Sequence, residues 1–324
     1  MNQYNLNRLY LRNLILNTSF IICSISYLAI PVKAQVTSDN TTSSNVEQVE
    51  NVTQITGGEK AKNNLFHSFE QFSIPEGTEA MFKNATDIEN IFTRITGDDI
   101  SNINGILSTQ GDANFFLINP NGIFFGENAQ LNVGGSFIAS TAESIEFEDG
   151  SKFSTNDDEA LLTVSFPIGL GFGSNPGSIE INGNQNKTTL SENDNLSGLS
   201  VQPQKTLALV GGDINISGGT INATNGRIEL GSLNSDSVNF QKAEKGFTFD
   251  FDDVADVNLK NIVLDNLSAL NVSGNRNGFI KIRSSALNIL GESTISSNSS
   301  GEIALESTNS IVLDDQSKIV SRSF

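Results

Sequence analysis

Aliphatic residues recur at nearly equal intervals through the last part of this chain. Ile262, Leu270, Ile280, Leu287, Ile295, Ile303, Ile311 and Ile319 lie 7–10 residues apart. Most are followed two positions later by another aliphatic residue: Leu264, Val272, Ile282, Ile289, Leu305 and Leu313. Alternation over so few positions marks a short strand with one buried face. Intervals this short leave no room for crossover helices, which excludes a layered α/β sheet. The similar segments "GFIKIRS" and "GEIALES" begin 23 residues apart, at Gly278 and Gly301, so three strands make one repeat. The segment 212–231 carries the same beat in Ile214/Ile216, Ile221/Ala223 and Ile228/Leu230. Gly218-Gly219 and Asn225-Gly226 stand between these pairs as turn residues able to take positive φ. The expected fold class is all-β: a parallel β-helix, or solenoid, with inward aliphatics stacked coil on coil. It is expected to be right-handed, because β-crossovers overwhelmingly are. An antiparallel β-sandwich is the alternative for short strands at regular spacing.

Repetition is required on energetic grounds. One coil buries about six aliphatic side chains, worth roughly 1.5–3 kcal/mol each. Fixing its two dozen or so residues costs roughly 1–2 kcal/mol each in backbone entropy. Ladder hydrogen bonds and stacking on neighbouring coils must supply the difference, so a coil should form only on an existing template. The composition suits this architecture. Of 324 residues, 40 are Asn, a residue that tolerates the left-handed region at corners and can stack in hydrogen-bonded ladders.

Composition also excludes function classes. A net charge of −18 disfavours nucleic-acid backbones, which need clustered Lys and Arg. The single Cys rules out a disulfide scaffold, and His67, the only His, rules out a His-rich metal site. No metal and no cofactor is expected. His67 has no nucleophile-elbow context and is read as a structural or partly buried polar residue. The pairs Asp98-Asp99, Asp157-Asp158, Asp252-Asp253 and Asp314-Asp315 are read as solvated corners, since adjacent strand residues point to opposite faces. "GFGSNPG" (171–177) lacks the βαβ context of a phosphate loop.

Residues 1–34 carry Arg8, Arg12 and Lys33, no acid, and an apolar run from Leu14 to Ile30 ahead of Val32-Lys33-Ala34. That is the layout of a secretory signal peptide cleaved near Ala34, which would remove Cys23. Residues 35–50, rich in Ser, Thr and Asn, are expected to be extended or poorly ordered and form a flexible N-terminal segment. The chain stops at Phe324 directly after a strand, as expected of a fragment or a shortened stem.

Residues 115–125 read Phe-Phe-Leu-Ile-Asn-Pro-Asn-Gly-Ile-Phe-Phe. Two buried strands flank a turn in which Pro120 presets φ, Asn121 takes the third position and Gly122 exits freely. The order of "GGEKAKNNLFHSFEQFSIPEGTEAMF" (57–82), "NIFTRITGDDISNINGIL" (90–107) and "NFFLINPNGIFFGENAQLNVGGSFIAST" (114–141) resembles the N-terminal secretion domain of filamentous haemagglutinins. "SFPIGLGFGSNPGSIEI" (165–181) and "LALVGGDINISGGTINATNGRIELGSL" (207–233) resemble its continuation in cyanobacterial members. The resemblance implies two-partner secretion: recognition by a dedicated outer-membrane β-barrel transporter through its periplasmic domains, then folding outside the cell as a β-helical adhesin. It implies a secreted or cell-surface location and a cell-surface glycan or protein as a further partner. It places the secretion motif at Asn119, Pro120, Asn121, Gly122 and Ile123. A clear second Asn-Pro-Asn-Leu motif is missing; Asn175-Pro176-Gly177 is a loose echo. The expected division is 1–34 signal peptide, 35–50 flexible segment, 51–190 secretion (haemagglutination activity) domain and capping region, and 191–324 continuing coils. The protein is not expected to be an enzyme; the alternative is a secreted β-helix polysaccharide lyase or glycosidase, which would need carboxylates converging in a groove.

Overall fold

The computed structural model describes residues 35–157, 163–183, 198–298 and 301–322. The expected signal peptide, its cleavage point near Ala34, Asp158 and the 190/191 boundary lie outside the described residues.

The chain winds into coils of three short strands. The first coil holds Asn64–Ser73 and Glu79–Phe82, and between them Ile74 bridges to Ile103 of the second coil. The second holds Asn90–Ile95, Ser101–Ile103 and Ile106–Thr109, and the third Asn114–Ile118, Ile123–Phe125 and Gln130–Asn132. The fourth holds Phe137–Ser140, Ile179–Asn182 and Leu199–Ser200, and the fifth Thr206–Gly211, Ile214–Ser217 and Thr220–Asn222. Arg227–Ser232, Ile262–Asp265 and Ala269–Asn271 form the sixth. In the seventh and eighth, Phe279–Ile289 and Glu302–Leu313 each run across two faces, followed by Thr294–Asn298 and Lys318–Arg322. Neighbouring coils pair in parallel on all three faces, with one break. The third face is divided: the described residues show no ladder between Gln130–Asn132 and Leu199–Ser200.

The aliphatic period does what the spacing requires. Leu65, Ile91, Phe115, Phe137, Leu207, Ile228 and Ile280 are in register on the first face and form one continuous inner row. Ile262, Leu270, Leu287 and Ile295 are buried in the same core from the other faces. Asn also behaves as expected. Asn90 Nδ2 donates to Asn64 Oδ1 and Asn114 Nδ2 to Asn90 Oδ1, each at 3.0 Å, and Asn114 Oδ1 accepts from the Ser136 amide at 2.9 Å. This ladder marks where the first face begins in successive coils.

Two features depart from a plain parallel solenoid. The segment 35–50, expected to be flexible, is ordered: Gln35–Ser38 pairs antiparallel with the first coil, and Asn45–Val49 pairs antiparallel with Val52–Thr56. These strands cap the solenoid, because the first coil has no preceding coil to satisfy its backbone groups. Second, two excursions leave the coils. Ser144–Phe147, Lys152–Ser154 and Pro167–Phe172 come from the fourth coil, and Asp236–Ala243 and Gly246–Asp250 from the sixth. They join into one five-stranded antiparallel sheet. Its apolar side covers the outer surface of the first face and creates a second core. There Phe66, Phe92, Phe116, Ile138 and Ala208 meet Phe147, Phe153, Leu170, Val238, Phe240, Phe247 and Phe249.

Candidate functional site

The Asn-Pro-Asn-Gly-Ile segment forms the corner between the first and second faces of the third coil. The Asn119 carbonyl accepts from the Gly122 amide at 3.1 Å, closing a β-turn with Pro120 at its second position, where the ring fixes φ. The Asn119 side-chain carbonyl accepts from the Asn121 amide at 3.0 Å, the local Asx turn that favours Asn here. Gly122 takes φ 130°, a conformation L side chains rarely adopt.

The same residues stitch three coils together. Asn119 Nδ2 donates to the Asp99 carbonyl at 3.0 Å and to Ser101 Oγ at 2.9 Å, both in the corner of the second coil. Asn121 Nδ2 donates to the Gly97 carbonyl at 2.7 Å. Toward the fourth coil, the Asn119 amide donates to the Ser140 carbonyl at 3.0 Å and the Pro120 carbonyl accepts from Gly177 at 2.7 Å. The fifth follows, since Gly212 donates to the Gly177 carbonyl at 3.1 Å. Ile123 pairs in register with Ser101 and Ile179 and is buried in the inner core.

The Asn175-Pro176-Gly177 echo therefore has a place. It lies on the Asn119–Gly122 turn, and a Cβ at Gly177 would stand 2.2 Å from the Asn121 carbonyl oxygen. Asn119 is fully buried, whereas Asn121 is exposed at the corner. The arrangement can hold successive corners in register; it places no nucleophile or acid–base pair together.

His67 lies inside the first coil, completely buried, with Nδ1 2.8 Å from Ser44 Oγ of the cap and its ring edge-on to Phe82. Burial pushes its pKa down to about 3, so the ring is neutral and structural. Of the aspartate pairs, Asp98-Asp99 and Asp314-Asp315 sit at corners and Asp252-Asp253 in a turn after the outer sheet. Among the described residues no group of three His, Cys, Asp or Glu side chains could hold a metal.

The sequence profile of the TPS secretion domain matches residues 34–282, from the cap into the seventh coil. Among solved structures, the HMW1 secretion domain from Haemophilus influenzae is similar, at 19% identity and a TM-score of 0.48, over 88% of this chain and 82% of that one. No curated protein matches the chain.

Proposed function

The chain belongs to the TPS secretion domain family, the exported component of two-partner secretion, and from that premise we propose that its first coils are recognised by a dedicated outer-membrane transporter. In this reading residues 1–34 direct passage to the periplasm and are removed near Ala34. The region 51–190, extended in transit, engages the periplasmic domains of a β-barrel partner by adding a strand to an exposed edge. The remaining coils, 191–324, wind onto it outside the cell. The product is a secreted or surface-held adhesin of haemagglutinin type, with a cell-surface glycan or protein as its target and no catalytic role.

The observation that carries this reading is the span of the family match, which begins at the cap and continues through six coils. In the folded domain Asn119 is fully buried and its side-chain amide holds the corner of the preceding coil. We assign Asn119, Pro120, Asn121, Gly122 and Ile123 to the secretion motif presented by the extended chain and, once it has folded, to the corner on which later coils register.

The test is delivery in a host expressing the protein with and without its transporter. The protein is expected in the medium or on the surface with the transporter and in the periplasm without it; equal release in both contradicts the reading. An Asn119→Ala, Asn121→Ala double variant is expected to remain periplasmic, and its normal delivery would remove the motif from the mechanism.

A further inference from the structure

We propose that Asp39 and Arg94 make closure of the N-terminal cap a condition for docking of the near edge of the outer sheet, so that two segments more than 100 residues apart in sequence close as one unit. Arg94 occupies the outward row of the first face, in register with Ser68 on one side and Ile118 on the other. It is among the largest fully buried side chains of the protein. A guanidinium can be taken out of water only where its donors find partners. Arg94 finds partners in three different modules. Nε donates to Ser68 Oγ of the first coil at 2.8 Å. One terminal nitrogen donates to Thr41 Oγ1 of the cap at 3.0 Å, and the other to the Ser154 carbonyl of the outer sheet. The Phe153 ring packs against the guanidinium, 4.7 Å away.

Asp39 completes the arrangement from the cap. Its carboxylate accepts from Ser68 Oγ at 2.5 Å, Thr96 Oγ1 at 2.8 Å, the Thr41 amide at 3.0 Å and Thr41 Oγ1 at 2.9 Å. Burial disfavours its charge, but these donors outweigh it and hold the carboxyl below its ordinary range. Ser68 thus stands between the anion and the cation, donating to one and accepting from the other. With the cap open, the carboxylate and the Thr41 hydroxyl are withdrawn. Seating Phe153 and Ser154 over Arg94 then buries a less compensated charge. The far strands of the outer sheet are anchored elsewhere, through Thr206, Arg227 and Lys281, and serve as an internal control.

The test is hydrogen exchange on the purified full-length protein. Asp39→Asn should speed exchange across 35–42 and also across 144–154 by about tenfold or more, with 236–250 and 262–298 unchanged. Thr41→Val keeps shape and removes the hydroxyl; it should act in the same direction and provides the reading if Asp39→Asn does not fold. In an Arg94→Met background, which removes the buried charge, Asp39→Asn should no longer affect 144–154. Loss of protection in the cap alone, or equal loss over the whole chain, would overturn the coupling. So would an Asp39→Asn effect on 144–154 that persists alongside Arg94→Met.

Discussion

The first face is built differently at its two ends. In the second and fifth coils every residue of Asn90–Ile95 and Thr206–Gly211 is buried. In the seventh, Phe279–Ile289 alternates between buried and half-buried positions, and in the eighth Glu302–Leu313 is half-buried or exposed throughout. The outward row shows the change residue by residue. It runs Phe66, Phe92, Phe116, Ile138, Ala208, and then Glu229, Lys281 and Ala304. A strand covered on both sides reads as a continuous apolar run, and one covered on one side as an alternation. The same ladder thus carries two sequence patterns, and the doubly covered end is also the end that is capped. A solenoid that grows by templating needs a start that holds together before later coils arrive. Here the cap, inner core and outer sheet together provide that start.

The largest expected effect falls where the two cores share a strand. Phe116 touches Phe92, Phe240 and Phe247, with ring centroids 4.9, 6.0 and 5.4 Å away. Phe116→Ala should lower stability in chemical denaturation by about 3–5 kcal/mol. A loss below about 1 kcal/mol would mean that the outer sheet contributes little. Asn119→Ala comes next. It leaves the Asp99 carbonyl, Ser101 Oγ and the Asn121 amide without their partner, an expected loss on the order of 2–4 kcal/mol. A thermal melt indistinguishable from the parent would contradict the corner's role.

His67 offers a pH test of the cap. Its folded pKa is depressed, so its contribution is intact above about pH 6.5. As pH falls toward 3 the unfolded chain takes up a proton that the folded chain refuses. Stability should drop by at most about 1.4 kcal/mol per pH unit, roughly 2 kcal/mol by pH 5. His67→Leu should flatten the curve between pH 7 and 5, and parallel curves for the two proteins would argue against a buried neutral ring. The smallest effect is expected at the exposed end. Glu306, opposite Arg283 in the eighth coil, is exposed, and Glu306→Ala should change stability by less than about 0.5 kcal/mol.

The inward rows were legible because a coil leaves a direct trace: Ile228 and Leu230, or Ile280 and Ile282, two apart and repeated at coil intervals. The turn at Asn119–Gly122 was legible from its residue types. The outer sheet was not read from the sequence, because its strands alternate just as coil strands do. Its clues were nevertheless present. "SIEFEDGSKF" places Asp149-Gly150 between Ile145/Phe147 and Phe153, a strong local hairpin signal. "VNFQKAEKGFTF" sets Val238/Phe240 against Phe247/Phe249 around Gly246, which takes φ 85°. The inserted 233–258 excursion also explains why the aliphatic beat stops after Leu230 and resumes at Ile262. Arg94 could not have been placed, since its partners include Thr41, Ser68 and Ser154 and only the folded chain brings them together.

The most direct test of a doubly cored, capped start is residue-resolved hydrogen exchange of the intact protein under native conditions. Amides of Asn64–Ser73, Asn90–Ile95, Asn114–Ile118 and Thr206–Gly211 should exchange only by global unfolding, and those of Glu302–Leu313 and Lys318–Arg322 by local opening at lower free energy. Uniform protection along the ladder, or a maximum in the seventh and eighth coils, would contradict the account.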